Sequence, residues 1–316
     1  MAAFSTFMGC KYILPKAEEI RKAKADFAIV GAAYEGCCVG VPGASYGPRV
    51  LRQISDDIDY YNVETDIDLR EHLTFVDCGD VGSWRTATGD TAKAHKEIED
   101  AVAEITRAKA APIVFGGDHS ISLPAFKGFF NETKGRIGVI HFDTHLDTAD
   151  VMGGERISNC TQMKRMTELG DRVPSKNMVH VGIRFSSFNI REERKIAERL
   201  GMKVIYMGDV MRRGITDVTK EAIEIAKKGT DLLYFTLDID VLDAPYAPAT
   251  SVPTPGGLTN RELIEACRLI GRSGVDAFDL VEVSGPMQDP NLVTARIGAT
   301  CVAELMGGAV QKRLGK

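Results

Sequence analysis

The stretch VIHFDTHLDTAD, residues 139–150, begins as an apolar run and then places Asp143, His145 and Asp147 at every second position. In an extended strand, alternate residues point to the same side, so these three polar groups share one side of the chain. Burying charged groups is costly unless an opposite charge or a metal compensates them. The stretch therefore predicts a buried strand whose carboxyl end enters a polar site.

Seven other short apolar runs rich in β-branched residues occur along the chain, and helical patterns alternate with them. The eight runs are residues 27–32, 73–80, 112–118, 136–145, 178–184, 203–210, 231–240 and 276–283, and the helical patterns are 92–110, 189–201, 217–229 and 259–274. Strands that are apolar on both faces and joined by helices indicate a parallel sheet covered on each side. We predict a single α/β domain over residues 1–316, a three-layer fold in which helices flank an eight-stranded, mainly parallel open sheet. A closed barrel is the alternative, but the long loop-like segment 33–72 breaks its even spacing.

The composition is that of a soluble globular protein, with 44% hydrophobic residues, 26% charged residues and a net charge of −5 over 316 residues. The negative charge argues against nucleic acid as a partner. No run approaches the roughly 18 apolar residues that a membrane helix needs, and the N-terminus lacks the pattern of a secretion signal. We expect a cytoplasmic protein with no membrane partner. Its seven cysteines, odd in number and without a CxxC pair, are expected to be mostly reduced and buried.

Polar side chains follow the apolar run at four predicted strand ends. They are Asp118 and His119; Asp143, His145 and Asp147; Asp238 and Asp240; and Glu282. Open α/β sheets bind ligands beyond the carboxyl ends of their strands, so these groups are expected to share one crevice. Carboxylates that converge in a dry crevice repel one another unless a cation lies among them. The imidazole and carboxylate set, without thiolate, suits manganese, nickel or iron, and it is large enough for two ions about 3.5 to 4 Å apart that activate water.

Other acids and histidines near these strand ends have a simpler explanation. Asp118 is also a favoured helix N-cap residue, so capping and ligation both stay open for Asp118 with His119. No functional role is predicted for His95. Cap, turn or interior structural roles are predicted for Asp77, Asp80, Asp209, His141 and His180.

Several motifs resemble, in order and spacing, those of the ureohydrolases, which comprise arginases, agmatinases and related guanidino-acid amidinohydrolases. They are GGDHS (116–120), HFDTHLDT (141–148), LDIDVLDAPYAPATSVPTPGG (237–257) and EVSGP (282–286), and GVPGASYGPRVLRQIS (40–55) is similar to a glycine- and proline-rich loop of the agmatinase branch. The resemblance covers nearly the whole chain. It implies the arginase-like fold, an eight-stranded parallel sheet flanked by helices, and assembly as a homo-trimer or hexamer, with a hetero-oligomer as the alternative.

The resemblance also implies roles for the strand-end residues. It implies that His119, Asp143, Asp147 and Asp238 hold one divalent ion and that Asp143, His145, Asp238 and Asp240 hold the other. Mn²⁺ is expected, and Ni²⁺ is the alternative because some family members that act on guanidine or biguanides use nickel. Glu282 matches the carboxylate that pairs with the substrate guanidinium, and Asp147 is expected to pass a proton to the leaving nitrogen. The implied reaction is hydrolysis of a C–N bond in a small guanidino substrate, with release of urea or a substituted urea.

Two positions depart from the family pattern. Asn159 and Cys160 replace a His-Gly pair whose histidine serves in proton transfer or substrate contact, and Ser251 and Val252 occur where Gly-Thr-Pro is common. Asn159 is a predicted substrate-binding residue that can hydrogen-bond but cannot titrate. Around Ser251 and Val252 we expect a more apolar wall that has lost a hydroxyl.

The substrate is left open by these departures. Arginine is disfavoured, because the polar run that arginases carry after the third acid is not visible in residues 148–158. Agmatine, guanidinobutyrate, guanidine, alkylated guanidines and biguanides all stay open.

Two other functions also stay open. A two-metal phosphoesterase uses Asp, His and GDH elements as well, although the motif order here is reversed and an Asn-His element is missing. A catalytically impaired family member that serves as a partner subunit fits the loss of the histidine at position 159. It fits the intact metal positions less well.

Overall fold

One nine-stranded parallel sheet forms the centre of the computed structural model, which describes residues 5–81, 90–184, 190–285 and 289–316. The strands are β1 (Lys11–Tyr12), β2 (Phe27–Ala32), β3 (Tyr61–Asn62), β4 (Ile67–Asp68), β5 (Phe75–Val81), β6 (Ala111–Gly116), β7 (Ile137–Phe142), β8 (Met178–Ile183), β9 (Lys203–Tyr206), β10 (Leu232–Asp238) and β11 (Ala277–Val281). Their order in the sheet is β1-β5-β2-β6-β11-β10-β7-β8-β9, and β3 pairs with β4 in a separate antiparallel hairpin. The mainly parallel open sheet predicted from the sequence is confirmed.

The predicted strand count was one too low. All eight predicted runs form strands of the sheet, and β1 is the ninth, paired with β5 at one edge. Both residues of β1 are exposed, so it carries no buried apolar run by which a sequence pattern could reveal it. The prediction of a loop over 33–72 was also wrong in part, because this segment contains a nine-residue helix, Gly47–Ser55, and the β3–β4 hairpin.

Helices cover both faces of the sheet. They are α1 (Ala17–Ala23), α2 (Gly47–Ser55), α3 (Leu69–His72), α4 (Thr91–Arg107), α5 (Ser122–Glu132), α6 (Gln162–Thr167), α7 (Ile190–Leu200), α8 (Met207–Arg213), α9 (Ile215–Lys227), α10 (Asn260–Ser273) and α11 (Val293–Leu314). Local signals explain several helix starts. The Asp90 carboxylate accepts the Lys93 amide at the start of α4, and Thr259 and Glu262 form a capping box at the start of α10.

Two apolar clusters, one on each side of the sheet, make the three layers. One contains α2, α9, α10 and α11, and the other contains α1, α4 and α5. Helices α10 and α11 approach so closely that a Cβ on Gly271 would lie 2.0 Å from the Leu305 carbonyl oxygen. Among the described helices, α11 alone is long and apolar enough to cross a membrane, but 61% of its apolar stretch is buried in the protein. It therefore serves here as a core helix.

Asp77 illustrates how a strand-end acid can be structural. Its carboxylate accepts the Gly79 amide at 2.8 Å, as the turn interpretation predicts, but it also pairs with the buried Arg52 guanidinium at 2.8 Å. Arg52 reaches Asp80 as well, so one cation holds two of the acids for which we predicted cap or turn roles. Asp209 caps α8 as predicted.

The order of the central strands positions the candidate site. Strands β6, β11, β10 and β7 are consecutive neighbours, and all four run in the same direction. The segments that carry the predicted polar residues therefore leave the sheet side by side at one edge.

Candidate metal centre

The structure brings all the predicted metal-ligating residues to the carboxyl edge of the four central strands. His119 follows β6 in a short 3₁₀ turn, Asp143 follows β7 directly, and Asp238 ends β10. Asp118, for which two roles were open, caps this turn by accepting the Ser120 amide at 2.9 Å. The capping explanation therefore holds for Asp118, whereas His119 points into the cluster.

His119 lies among three carboxylates. Its Nδ1 is 3.0 Å from Asp143 Oδ2, 3.1 Å from Asp147 Oδ2 and 3.2 Å from Asp238 Oδ2. The other ring nitrogen, Nε2, is 2.9 Å from the Thr236 hydroxyl, which fixes the ring orientation. Burial alone would lower the pKa of His119, but the three carboxylates raise it well above the usual range.

A second group shares Asp143 with the first. His145 Nδ1 is 3.1 Å from Asp143 Oδ1 and 3.1 Å from Asp240 Oδ2. Asp143 thus turns one carboxylate oxygen to each histidine. Two sets of side chains are compact enough to hold a metal ion, and Asp143 belongs to both: the first is His119, His141, Asp143 and Asp147, and the second is Asp143, His145 and Asp240.

The residues present fit two divalent cations. His119 Nδ1 is buried without a hydrogen-bond partner, although three carboxylate oxygens surround it. Burial and the charges of Asp240 and Asp143 also raise the pKa of Asp238 well above its usual range. Both observations fit a site whose carboxylates a bound cation would compensate. Imidazole nitrogens and carboxylate oxygens are donors that first-row divalent ions accept.

His141 contacts the cluster. The sequence analysis predicted an interior structural histidine and did not predict this contact. Its Nε2 is 2.8 Å from Asp143 Oδ2, and its Nδ1 is 2.8 Å from His180 Nδ1. The predicted burial of both histidines is confirmed. A signal was present in the sequence, because His141 has the same strand parity as Asp143.

Glu282 lies at the edge of the cluster, directly after β11. Its carboxylate accepts the His119 backbone amide at 2.8 Å, the Ser251 hydroxyl at 2.6 Å and the Asn159 side-chain amide at 3.3 Å. Burial and the charge of Asp118 raise the pKa of Glu282 to about 7. The expected loss of a hydroxyl from this wall was wrong, because Ser251 supplies one.

Asp147 and Glu282 both have left-handed backbone conformations, with φ of 54° and 62°. This conformation costs residues with a Cβ on the order of 1 kcal/mol, and such strain concentrates at functional sites. The two residues predicted to act on the substrate are thus held in backbone conformations that the surrounding fold has to maintain.

A small chamber lies at the cluster and adjoins a wide cleft. The chamber has a volume of about 40 Å³ and is lined by Val39, His145, Asp147, Met152, Asn159, Cys160, Glu193, Asp238, Asp240, Ser251, Val252 and Glu282. The neighbouring cleft has a volume of about 770 Å³ and shares Val39 and Met152 with the chamber. The two spaces adjoin at these shared residues, so a ligand held in the chamber can extend toward the cleft.

Hydrogen bonds hold the loop that carries Val39, one to Asp118 beyond the end of β6 and two within the loop itself. Asp118 accepts the Cys37 amide at 2.8 Å, and Glu35 accepts the Gly43 and Ser45 amides at 2.8 and 3.0 Å. All seven cysteines are free, as predicted. The expectation that most of them are buried was wrong, because four of the seven, including Cys37, are only partly buried.

A sequence profile of the arginase family matches residues 25–308. The chain belongs to the arginase family. A formimidoylglutamase of Halalkalibacterium halodurans is 34% identical over 292 residues, which cover 92% of this chain and 89% of the relative. An agmatinase of an Enterobacter species is 29% identical over 286 residues, which cover 89% of this chain and 87% of the relative. The ureohydrolase resemblance read from the motifs is confirmed.

Solved arginase-family structures have the same fold. The proclavaminate amidino hydrolase of Streptomyces clavuligerus matches with a TM-score of 0.85 and 25% identity, covering 98% of each chain. A variant of Trypanosoma cruzi formiminoglutamase, solved with Mn²⁺, matches with a TM-score of 0.83, covering 94% of this chain and 99% of that chain. At 23% identity, this second likeness concerns the fold alone.

The predicted sites fall almost wholly within the described part of this arginase-family chain. The exception is the motif EVSGP, whose last residue, Pro286, lies outside the described residues. Among the residues that line the chamber, Glu193 was missed by the sequence analysis. It lies within a predicted helix and carries no motif that separates it from its exposed neighbour Glu192.

Proposed function

We propose that the protein is a metal-dependent amidinohydrolase that cleaves a C–N bond of a guanidino compound and releases urea or a substituted urea. The observation that carries this proposal is the position of Glu282. Its buried carboxylate lines the same small chamber as the His/Asp cluster, so one ligand can contact both. A carboxylate pairs with a planar guanidinium through two parallel hydrogen bonds.

The metal ions would be held as the family resemblance implies. One would be held by His119, Asp143, Asp147 and Asp238, and the other by Asp143, His145, Asp238 and Asp240. Two divalent ions at such a site lower the pKa of water and so supply a nucleophile at neutral pH. We expect Mn²⁺, and Ni²⁺ is the alternative because the same donors accept it.

The side chains around the ions would orient the substrate and move the proton. Glu282 keeps a fixed orientation because Ser251 and Asn159 donate to its two oxygens. Asp147 lines the chamber, and the Gln162 side-chain amide donates to its Oδ2. We assign to Asp147 the transfer of a proton to the leaving nitrogen, and to Asn159 a role in substrate contact through Glu282.

The lining of the chamber favours a cationic substrate. Five carboxylates line it, and no Lys or Arg among the described residues does. Arg184, which lies near the cluster, is already used, because its guanidinium donates to backbone carbonyls that include those of Asp240 and Thr254. We therefore favour agmatine, guanidine and alkylated guanidines or biguanides over guanidino acids such as guanidinobutyrate.

A formimidoyl compound is the second candidate substrate, because a formimidoylglutamase is 34% identical over 92% of this chain. Its reaction also hydrolyses a C–N bond next to an imino carbon, but it would release formamide instead of urea. The two candidates are therefore distinguished by their products.

The decisive experiment is a product screen with Mn²⁺ and Ni²⁺ in parallel. Urea would be assayed with agmatine, guanidinobutyrate, guanidine, an alkylated guanidine and a biguanide, and formamide would be assayed with formimidoyl glutamate. We expect urea. Formamide as the main product would establish the second candidate, and phosphate release from phosphoesters would establish a phosphoesterase. Two bound metal ions with no product from any compound would establish a catalytically silent partner subunit.

Two further properties stay proposals. We expect the cytoplasm as the compartment and a homo-trimer or hexamer as the assembly, with a hetero-oligomer as the alternative. Light scattering of the purified chain would give the assembly state directly.

A further inference from the structure

Glu193 is a buried carboxylate on the chamber wall that the reaction described above does not use. It lies in the first turn of α7, and its backbone carbonyl accepts the Thr148 hydroxyl at 2.9 Å. This bond joins α7 to the residue after Asp147. The side chain lines the chamber together with those of Asp147, Cys160 and Glu282.

Among the residues that the structure describes, no cation pairs with the Glu193 carboxylate. The residue is 5% exposed, and within the described part of the chain its side chain forms no ion pair and no hydrogen bond with another side chain. A buried carboxylate in such surroundings keeps its charge at neutral pH only when a cation lies beside it.

Two divalent ions would not supply that cation. Their four positive charges would balance the four cluster carboxylates of Asp143, Asp147, Asp238 and Asp240. Glu282 and Glu193 would then remain as two uncompensated carboxylates in one chamber. A guanidinium ion has a single positive charge, so it compensates only one of them.

Glu192, the neighbour of Glu193 in sequence, is exposed and paired. Glu192 pairs with Lys195 at 2.7 Å on the outer face of α7, with 64% of its side chain exposed. The two acids are adjacent in sequence, but Glu192 has an ion-pair partner at the surface, whereas Glu193 lies in the chamber, where no described side chain pairs with it.

We propose that Glu193 determines specificity by pairing with a second positively charged group of the substrate, so that the preferred substrate is a guanidino compound that also carries an ammonium or a second amidino group. This inference rests on the proposed function, which supplies the guanidinium at Glu282. A monocation would leave Glu193 buried and unpaired, and a substrate with a carboxylate tail would place like charges together.

Three compounds of similar length test the proposal in the metal-loaded full-length protein. Agmatine carries a guanidinium and an ammonium, n-butylguanidine lacks the ammonium, and 4-guanidinobutyrate has a carboxylate in its place. The variants are Glu193→Gln, which keeps the side-chain shape, and Glu192→Gln as the matched control on the same helix. Urea release gives kcat/KM, calorimetry gives the affinity, and metal content and the unfolding temperature are measured for each variant.

We expect the unmodified protein to prefer agmatine. Glu193→Gln should lower both kcat/KM and affinity for agmatine by roughly 10- to 100-fold, the loss typical of one hydrogen bond to a charged group. The preference for agmatine over n-butylguanidine should fall by a similar factor. Glu192→Gln should change neither quantity. Metal content should stay at the unmodified level, and the unfolding temperature should not fall, because glutamine removes an unpaired buried charge.

Three results would overturn the proposal. They are an equal loss for agmatine and n-butylguanidine, a loss of bound metal in Glu193→Gln, and a preference of the unmodified protein for 4-guanidinobutyrate. If no guanidino compound yields urea, the proposed function fails, and calorimetric binding then decides the role of Glu193 by itself. Tighter binding of agmatine than of n-butylguanidine that disappears in Glu193→Gln would support the role, and equal binding of the two would refute it.

Discussion

Asp143 is the residue on which both candidate metal sites depend, so Asp143→Asn should remove most of the metal-induced stabilisation of the protein. Asp143 belongs to both groups that could hold an ion, whereas Asp240 belongs only to the second. An ion at about 100 times its dissociation constant stabilises the folded state by about 2.7 kcal/mol, so two ions contribute about 5 kcal/mol. With an unfolding entropy of about 2.1 cal/mol/K per residue, 316 residues give about 0.7 kcal/mol/K. Metal should therefore raise the unfolding temperature by about 8 °C.

The assay is thermal unfolding with and without Mn²⁺, together with metal analysis of each purified variant. Asp240→Asn should retain about half of the metal-induced shift, because the first group stays complete. Asp143→Asn should retain less than about 2 °C, because its oxygens face both histidines. Asp209→Asn, which changes a helix-capping acid outside the cluster, should keep the full shift. A full shift and two bound ions in Asp143→Asn would refute the assignment of the site.

Three further predictions concern Asn159, Arg52 and His95. Asn159→His should increase kcat/KM for agmatine by roughly tenfold or more, as expected when a titratable group is restored; an unchanged or lower value would mean that position 159 acts only by orienting Glu282. Arg52→Met should lower the unfolding temperature by about 5 to 7 °C, because it leaves Asp77 buried without its partner, at a cost of about 3 to 5 kcal/mol. Calorimetry measures the unfolding temperature, and a change below 1 °C would contradict the prediction. Burial, together with the charge of Lys127, lowers the pKa of His95 to about 4, so the folded state binds fewer protons than the unfolded state between pH 4 and 6.5. The free energy of unfolding should therefore fall as the pH is lowered through that window, by up to about 3 kcal/mol more than in His95→Asn. Denaturant unfolding of the two proteins at several pH values checks this, and parallel pH profiles would contradict it.

Much of the site could be predicted because it depends on local sequence order. Acids that follow apolar, β-branched runs lie at strand ends, and parallel strands bring their ends to one edge of the sheet. Asp143, His145 and Asp147 were therefore identifiable as polar residues that follow a buried strand. The predicted alternation along an extended strand was wrong for them, because β7 ends at Phe142 and Asp147 has a left-handed backbone conformation. The prediction missed residues whose roles depend on contacts between distant segments. Ser251 donates to Glu282 across 31 positions, and no local pattern encodes that contact.

The sequence by itself determined eight strands of the sheet, four of the helices that flank it and most residues of the His/Asp cluster, because hydrophobic period and strand ends are properties of neighbouring residues. The tertiary structure alone decided the edge position of β1, the contact of His141 with Asp143 and the burial of Glu193. Glu192 and Glu193 look alike in sequence, yet one faces solvent and the other faces the chamber. The physical reason is that burial depends on how α7 packs against the segment after β7, and this packing is set by the arrangement of the whole sheet.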